Sequence, residues 1–406
     1  MISSIDETVA RYGALLDAGP SSVHTTSTSV RNVQRGGIAV GEFGVGLIAG
    51  ARWRCAHAAH APAIAATAGL HLRGVADEFH GASHVRAHRM QRCTRTAILE
   101  RADVDVVVVA SRAKCHFADA KAALLAGKHA VVELPLAQAR AEVDELVAIA
   151  RARRVALLIM PTRRADADFR EVERLVRSGE LGPLRSLERR AEVAEPQLWT
   201  TGAEMVDEAV ALFGAPRTVS ADERNGESGF AITLGYSGAA APRCVRLSAV
   251  AAGVQLEDDR AFAVRWELHG ARGSLVLREP EAPRGGRSTH ARAPTALVGL
   301  LAVEPYAGAA PVRTDLTLST DDKRAAARCA LYAAMHARLR RWSADANGEG
   351  EDNANVEAVD VVAADAAAAE SGSSTAADDD VTLVSRLIAA ACVSSAASCV
   401  VRVERA

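Results

Sequence analysis

The sequence lacks a strong excess of charge of either sign. Its 406 residues contain 48 Lys and Arg against 50 Asp and Glu, a formal net charge of −2. Proteins that bind nucleic acids or anionic membranes rely on a basic surface, so this balance argues against both classes. No uncharged apolar run reaches the roughly 18 residues that a membrane span needs. Because 49% of the residues are hydrophobic, we expect a soluble protein with packed cores.

Paired cysteines and a secretory signal are also missing. The seven cysteines are scattered without regular spacing, as is typical of reduced thiols. Residues 20–30 are rich in Ser and Thr and precede Arg31 and Arg35, as in a transit peptide, but Asp6 and Glu7 argue against one. The predicted location is therefore cytoplasmic.

Lysine is scarce. The chain has four lysines and 44 arginines, and arginine does not give up its proton. Chemistry that needs a titratable amine therefore has few candidate positions, namely Lys114, Lys121, Lys128 and Lys323.

Short β-branched runs alternate with Ala-rich segments of helical length from Gly44 onward. Apolar strands separated by helices of about 10–15 residues are typical of a parallel sheet covered on both faces. The predicted fold class is therefore α/β, with an N-terminal Rossmann doubly wound sheet over residues 37–161. The predicted strands are Val45–Ile48, Leu70–Val75, Val104–Ala110, Ala130–Val132 and Val155–Met160.

The rhythm changes after Pro161, where successive strands follow one another without intervening helices. We predict a C-terminal α+β domain over 162–342, with an open, mostly antiparallel sheet. Residues 343–380 contain eleven acidic residues and no Lys or Arg, which predicts a disordered acidic insertion. A helix and strand over 381–406 then rejoin the fold, and residues 1–36 form a loose leader.

The first strand leads into the turn where a Rossmann domain binds dinucleotide. A glycine-rich fingerprint is expected there, but Ala49, Ala51 and Arg54 stand at its three glycine positions. A tight turn without a ligand is the alternative interpretation. The candidate residues for cofactor contact in this turn are Ala49, Gly50, Arg52 and Trp53.

Asp77 follows the second predicted strand, 28 residues after Ala49. A carboxylate there suits the ribose hydroxyls of NAD and repels the 2′-phosphate of NADP, so NAD is the predicted cofactor and NADP the less favoured one. A helix N-cap is an equal alternative for this aspartate.

Three histidines follow at helical spacing. His80, His84 and His88 could clamp a metal between two helical turns, but a solvated helix face is the favoured interpretation, and no metal is predicted.

Several segments between residues 44 and 280 resemble the Gfo/Idh/MocA oxidoreductases. The Ala126–Ala137 segment, which reads AGKHAVVELPLA, is the most specific of them. The others are His60–Ile64, Asp103–Asp105, Cys115–His116, Ser178–Gly182 and His269–Ser274. The resemblance implies that an N-terminal domain binds NAD(P), with Glu133 among its cofactor-binding residues. It also implies hydride transfer between nicotinamide and a sugar-like or polyol-like secondary alcohol. The open sheet of the C-terminal domain would then serve substrate binding and would assemble a homo-oligomer.

The sequence departs from that family where the alcohol proton is handled. The family's Glu-Lys-Pro tripeptide reads Glu-Leu-Pro here, with Leu134 in place of the lysine. In the family's Asp-x-Gly-x-His-x-x-Asp helix start, Gly202 and Asp207 remain and Glu204 replaces the histidine. Losing general acid–base help costs about 10²–10⁴ in rate, so two functions stay open. One is an oxidoreductase with altered proton handling, and the other is a catalytically silent nucleotide-binding regulator or scaffold.

Substitute groups are available for the first function. Glu204 is a candidate base, and His116 lies where the nicotinamide end would project. Arg163 and Arg164 are candidates for clamping an anionic substrate. Each has a structural alternative: a helix-start carboxylate, a recurring histidine of the fold, and surface arginines.

Overall fold

The computed structural model forms two compact units. The first combines the chain up to Thr162 with Arg328–Thr382, and the second combines Arg163–Ala327 with Leu383–Ala406. The residues described are 41–50, 54–77, 93–193, 195–224, 229–237, 242, 244–251, 264–278, 296–305, 308–319, 321–346, 359–361, 377–397 and 399–403. The predicted leader therefore lies outside the described residues.

The first unit is built on a six-stranded parallel sheet of order β14-β5-β4-β3-β1-β2. Every residue of β1 and β3 is buried, because helices cover both faces of the sheet. This arrangement confirms the predicted Rossmann sheet. Its strands are β1 (Phe43–Ala49), β2 (Leu70–Asp77), β3 (Val106–Ala110), β4 (His129–Glu133), β5 (Leu157–Met160) and β14 (Val359–Val361).

Amphipathic and Ala-rich helices connect these strands. Their apolar residues, such as Ile98, Leu124 and Leu146, pack with the strand valines in one core. The helices are α1 (Arg54–Ala66), α2 (Arg95–Glu100), α3 (Ala113–Leu125) and α4 (Arg140–Arg153).

Part of a late helix also belongs to the first unit. Helix α7 spans Asp321–Ala346, and from Arg328 onward it groups with the Rossmann sheet. Tyr332 is fully buried there, and the His336 ring packs edge-on against Phe43. Residues 328–342, which were predicted to lie in the second domain, therefore group with the first unit.

The predicted acidic disordered insertion, 343–380, is wrong at three places. Residues 343–346 continue α7, residues 377–380 begin helix α8 (Ala377–Ala397), and Val359–Val361 forms β14. Val359 and Val361 alternate with Asp360, and this short run pairs in parallel with β5. The remaining residues of the insertion lie outside the described part of the chain.

The second unit contains a nine-stranded sheet of order β13-β12-β11-β10-β6-β9-β8-β7-β15. All its neighbours pair antiparallel except β6 and β9, which confirms the mostly antiparallel α+β prediction. Its strands are β6 (Leu184–Val193), β7 (Thr218–Arg224), β8 (Gly229–Gly235), β9 (Cys244–Ala251), β10 (Val264–Gly270), β11 (Gly273–Arg278), β12 (Ala296–Val303), β13 (Val312–Ser319) and β15 (Val401–Arg402).

One face of this sheet carries helices and the other carries charge. Helices α5 (Ala167–Ser178), α6 (Ala203–Phe213) and the end of α8 form a core with the sheet. A 3-10 turn, Thr162–Ala165, precedes α5, and a π-helical turn, Leu198–Gly202, precedes α6. On the opposite face Arg190 pairs with Glu267 at 3.1 Å.

No helix in the described parts of the chain combines the length and apolar character needed to cross a bilayer.

Candidate functional site

The carboxyl ends of the parallel strands gather the predicted nucleotide-binding residues at one edge. Ala49 ends β1 and pairs with Asp77 on β2 and with Ala110 on β3. Glu133 ends β4, on the far side of β3. Strand β2 lies on one side of β1, and strands β3, β4 and β5 follow on the other side, so the strand order reverses between β1 and β3. Doubly wound folds bind their ligands at such a switch point.

Gly50 shapes the crest of this edge. Its amide donates to the Ala110 carbonyl at 3.1 Å. A Cβ atom at this position would lie 2.9 Å from the Arg112 nitrogen and 3.0 Å from the Ser111 carbonyl carbon. Only glycine lets the two loops approach so closely, and helix α1 begins four residues later. The missing side chain at Gly50 therefore lets the turn after β1 pack directly against the loop after β3, at the edge where doubly wound folds bind nucleotides.

Other predicted cofactor residues lie where less is described. Ala51, Arg52 and Trp53 fall outside the described residues, and for Asp77 only the backbone is described. The histidine stripe His80, His84 and His88 also falls outside them. Among the residues that are described, no group of His, Cys, Asp and Glu is arranged to hold a metal ion.

Glu133 is held by a chain of two further side chains. His60 Nε2 lies 3.0 Å from Glu133 Oε1, and His60 Nδ1 lies 2.7 Å from the Tyr332 hydroxyl. His60 is 2% exposed and Glu133 24%. Burial alone would raise the pKa of Glu133, but His60, with help from His116 and Arg328, holds it below its usual value. The carboxylate is thus ionised at the edge of the sheet.

The rest of the AGKH motif is structural. Lys128 Nζ donates to the carbonyl oxygens of Arg101 and Val104, each at 2.8 Å. His129 Nδ1 accepts from the Ala156 amide at 3.0 Å. Leu134, at the family's lysine position, packs against the apolar core. The motif therefore fixes neighbouring loops at the amino end of β4 and places Glu133 at its carboxyl end.

His116 is engaged by backbone on both sides of its ring. Nδ1 lies 2.7 Å from the Pro135 carbonyl oxygen and Nε2 lies 3.0 Å from that of Ser111. The side chain is buried on α3. These contacts favour the structural interpretation, since they tie the β3 loop to the loop after β4, and a catalytic role for His116 stays a prediction.

In the second unit two predicted site residues bind each other. Arg164 Nε and Nη2 donate to the two carboxylate oxygens of Asp207 at 2.8 and 2.6 Å. The side chains are 12% and 3% exposed. Such a two-pronged pair fixes the orientation of the carboxylate. It also occupies the guanidinium that was expected to clamp a substrate anion.

Arg163 lies in a buried network of ion pairs. It contacts Asp166 at 2.5 Å and Glu208 at 3.5 Å. Arg189 reaches Glu208 at 3.0 Å, and the Trp266 indole donates to Asp168 at 3.1 Å. Burial alone would raise the pKa of Asp168, but the surrounding guanidinium groups hold it well below its usual value.

Glu208 lies in the same network, where burial outweighs its arginine partners and raises its pKa. The network pins helices α5 and α6 to strands β6 and β10. The clamping role of both arginines stays a prediction.

Glu204 lies in the first turn of α6, one helical turn before Glu208 and beside Asp207 in the same unit. It is half-buried, and its charge is among those that raise the pKa of Arg163. A carboxylate at a helix N-terminus is stabilised by the helix dipole, so its position suits the structural interpretation as well as the base.

Sequence reasoning missed the partners of Glu133. His60 appears in the sequence only as part of a recurrent segment, and nothing in the sequence links Tyr332, 272 residues away, to it.

Residues 40–160 match the GFO_IDH_MocA family model, which is described as an oxidoreductase family with an NAD-binding Rossmann fold. The chain is 31% identical over 140 residues to the uncharacterized oxidoreductase YhhX of Escherichia coli, covering 32% of this chain and 41% of that protein. It is 26% identical over 209 residues to scyllo-inositol 2-dehydrogenase (NADP(+)) IolW of Bacillus subtilis, covering 45% of this chain and 56% of that one. The chain therefore matches only about half of these relatives' lengths.

Most of the chain has a fold similar to that of solved structures. A variant of the 3-ketoreductase KijD10 of Actinomadura kijaniata, solved with TDP-benzene and NADP, aligns with a TM-score of 0.59. The alignment covers 87% of this chain and 98% of that one, at 19% identity. At this identity the similarity establishes the fold.

Proposed function

Because residues 40–160 match the GFO_IDH_MocA oxidoreductase family model, we propose that the protein belongs to this family and binds NAD(P) at the carboxyl edge of its parallel sheet. We propose hydride transfer on a sugar-like or polyol-like secondary alcohol or ketone as its reaction. The observation that carries the proposal is the edge itself, where Gly50 packs the turn after β1 against the loop after β3, and where Asp77 and Glu133 end the strands β2 and β4.

The edge distributes roles among this chain's residues. Asp77, at the end of β2, would accept hydrogen bonds from the adenine-side ribose hydroxyls. Ala49, Gly50, Arg52 and Trp53 would line the pyrophosphate turn. Glu133, two strands away from β1, would meet the nicotinamide side. A carboxylate at Asp77 favours NAD, while the names of two similar proteins mention NADP, so both nucleotides belong in the test.

The second unit would supply the substrate's proton acceptor. Bound NAD(P) would supply the hydride chemistry. In the oxidation direction a protein group would take the hydroxyl proton, and in the reduction direction that group would return it to the ketone oxygen. Glu204 is the residue we assign to proton transfer, because it is half-buried in the first turn of α6 and stands where the family's helix start has its histidine.

A catalytically silent nucleotide-binding protein is the second candidate. Leu134 packs into the apolar core at the family's lysine position, where it neither holds nor donates a proton. Such a protein would act through contacts with itself or a partner across the open sheet face, whose strands β6 and β10 carry charged side chains such as Arg190 and Glu267.

Titration of the cofactor-stripped protein with NADH and NADPH tests the proposal, and the quenching of Trp fluorescence reports binding. We expect saturable micromolar binding that Asp77→Ala abolishes and that Asp103→Ala, a half-exposed carboxylate paired with Arg101, leaves intact. No saturation up to millimolar nucleotide would refute both candidates.

Turnover then separates the two candidates. If polyols or sugars are oxidised in the presence of NAD(P) and Glu204→Gln removes that activity, the enzyme is supported. Binding without turnover would support the silent protein.

A further inference from the structure

We propose that His60 and Tyr332 are positioning residues that hold the Glu133 carboxylate ionised and oriented toward the nicotinamide half of the bound nucleotide. This inference rests on the proposed function, because it concerns the same edge of the sheet. It adds His60 and Tyr332, which lie 272 residues apart, to the residues proposed for nucleotide binding. Neither is proposed to contact the nucleotide, and no motif spacing connects them.

The three groups come from three elements of the first unit. Glu133 ends β4, His60 lies in α1, and Tyr332 lies in the part of α7 that packs on the Rossmann sheet. The rings of His60 and Tyr332 meet edge-on, with their centroids 6.0 Å apart. Both side chains are buried, whereas Glu133 keeps part of its surface exposed. The chain of contacts therefore runs from the core outward and ends at the carboxylate.

The protons along this chain follow from the burial of Tyr332. Burial, together with the nearby Glu133 charge, raises the pKa of Tyr332 well above its usual value, so its hydroxyl keeps its proton. That hydroxyl donates to His60 Nδ1, and His60 Nε2–H donates to Glu133 Oε1. His60 thus uses both of its ring nitrogens to connect the buried Tyr332 hydroxyl with the Glu133 carboxylate.

An ionised carboxylate only accepts hydrogen bonds. It therefore recognises donors, and the nicotinamide half offers ribose hydroxyls and a carboxamide N–H. Protonation would replace one acceptor with a donor and weaken this recognition. The titratable and charged groups that face Glu133 are His60, His116, Arg328 and Tyr332, and the first three favour its ionised form.

The pH dependence of NAD⁺ binding distinguishes a positioning role from a structural one. In the native protein we expect the dissociation constant to change less than about twofold between pH 8 and pH 5.5, because the pKa of Glu133 is held low. His60→Leu removes the main group that offsets burial and leaves only the weaker effects of His116 and Arg328, so the pKa of Glu133 rises. We expect its affinity to fall by about tenfold over the same interval, since each pH unit below a pKa removes about nine-tenths of the ionised form.

Conservative variants and matched controls sharpen the test. His60→Gln keeps a donor toward Glu133, and we expect it to restore most of the native pH profile. Tyr332→Phe keeps the ring and removes the hydroxyl, which gives an intermediate loss. His71→Gln is the control, because His71 also pairs with a glutamate, Glu42 at 3.1 Å, but near the opposite end of β2.

A second ligand separates this inference from the proposed function. AMP carries only the adenine half, so its binding should be unchanged in every variant except a misfolded one. Native pH profiles in both His60→Leu and Tyr332→Phe, with NAD⁺ still bound, would overturn the positioning role and leave the proposed function standing. Equal losses of AMP and NAD⁺ would likewise overturn it, as would a failure of the native protein to bind either nucleotide.

Discussion

The buried pair of Arg164 and Asp207 offers a strong test of how the second unit is held together. We expect Arg164→Leu to leave the Asp207 carboxylate buried without its two-pronged partner. The two side chains are 12% and 3% exposed, so solvent screens little of their attraction. Removing one member of a buried ion pair costs about 3–5 kcal/mol, which corresponds to at least a hundredfold in the folded-to-unfolded ratio.

Urea denaturation followed by Trp fluorescence measures this loss. The second unit contains Trp266 in its core, so its transition is visible directly. Replacing both partners, in Arg164→Leu with Asp207→Leu, removes the orphaned charge, and we expect it to recover at least half of the lost stability. Arg174→Leu is the control, because Arg174 pairs with Glu171 on the surface, and such pairs contribute about 0–1 kcal/mol.

A loss below about 1 kcal/mol in Arg164→Leu would refute the role of this pair as a structural element. If that variant instead kept its stability but lost affinity for anionic substrates, the clamping role predicted for Arg164 would gain support. The same pair of measurements therefore decides between the two roles.

Three further predictions follow from buried contacts. Gly50→Ala places a methyl group against the Ser111–Arg112 backbone, so we expect a loss of about 1–3 kcal/mol in thermal unfolding and weaker NADH binding. Lys128→Met removes two bonds to carbonyl oxygens and should lower the free energy of unfolding by about 1–3 kcal/mol, with nucleotide affinity unchanged in the folded protein. The lowered pKa of Asp168 stabilises the second unit above the unfolded value of about 3.9, and this stability is lost as the pH falls through the folded value. Asp168→Asn should therefore flatten the acid side of a stability profile measured by urea denaturation, and an unchanged profile would contradict the pKa shift.

Much of the Rossmann sheet is predictable because its strands are continuous apolar runs. The run ending at Ala110 and the run ending at Met160 were found within a few residues, since burial on both faces removes polar residues from such strands. Glu133 directly follows the predicted strand Ala130–Val132, and in the structure it is the last residue of β4.

Other features depend on contacts that sequence patterns do not encode. Strand β14 is three residues long in an acidic segment, and pairing with β5 alone makes it a strand. The contact between His60 and Tyr332 joins residues 272 positions apart, and no local period reports it. Arg163 and Arg164 looked like surface arginines or a clamp, because a sequence does not show which carboxylates a guanidinium meets after folding.

Nucleotide binding by the native protein and by Asp77→Ala is the most direct measurement of the central claim. We predict saturable NADH binding in the micromolar range for the native protein and none for Asp77→Ala, with both proteins unfolding at the same temperature. Absence of NADH and NADPH binding up to millimolar concentration in the folded native protein would contradict the claim.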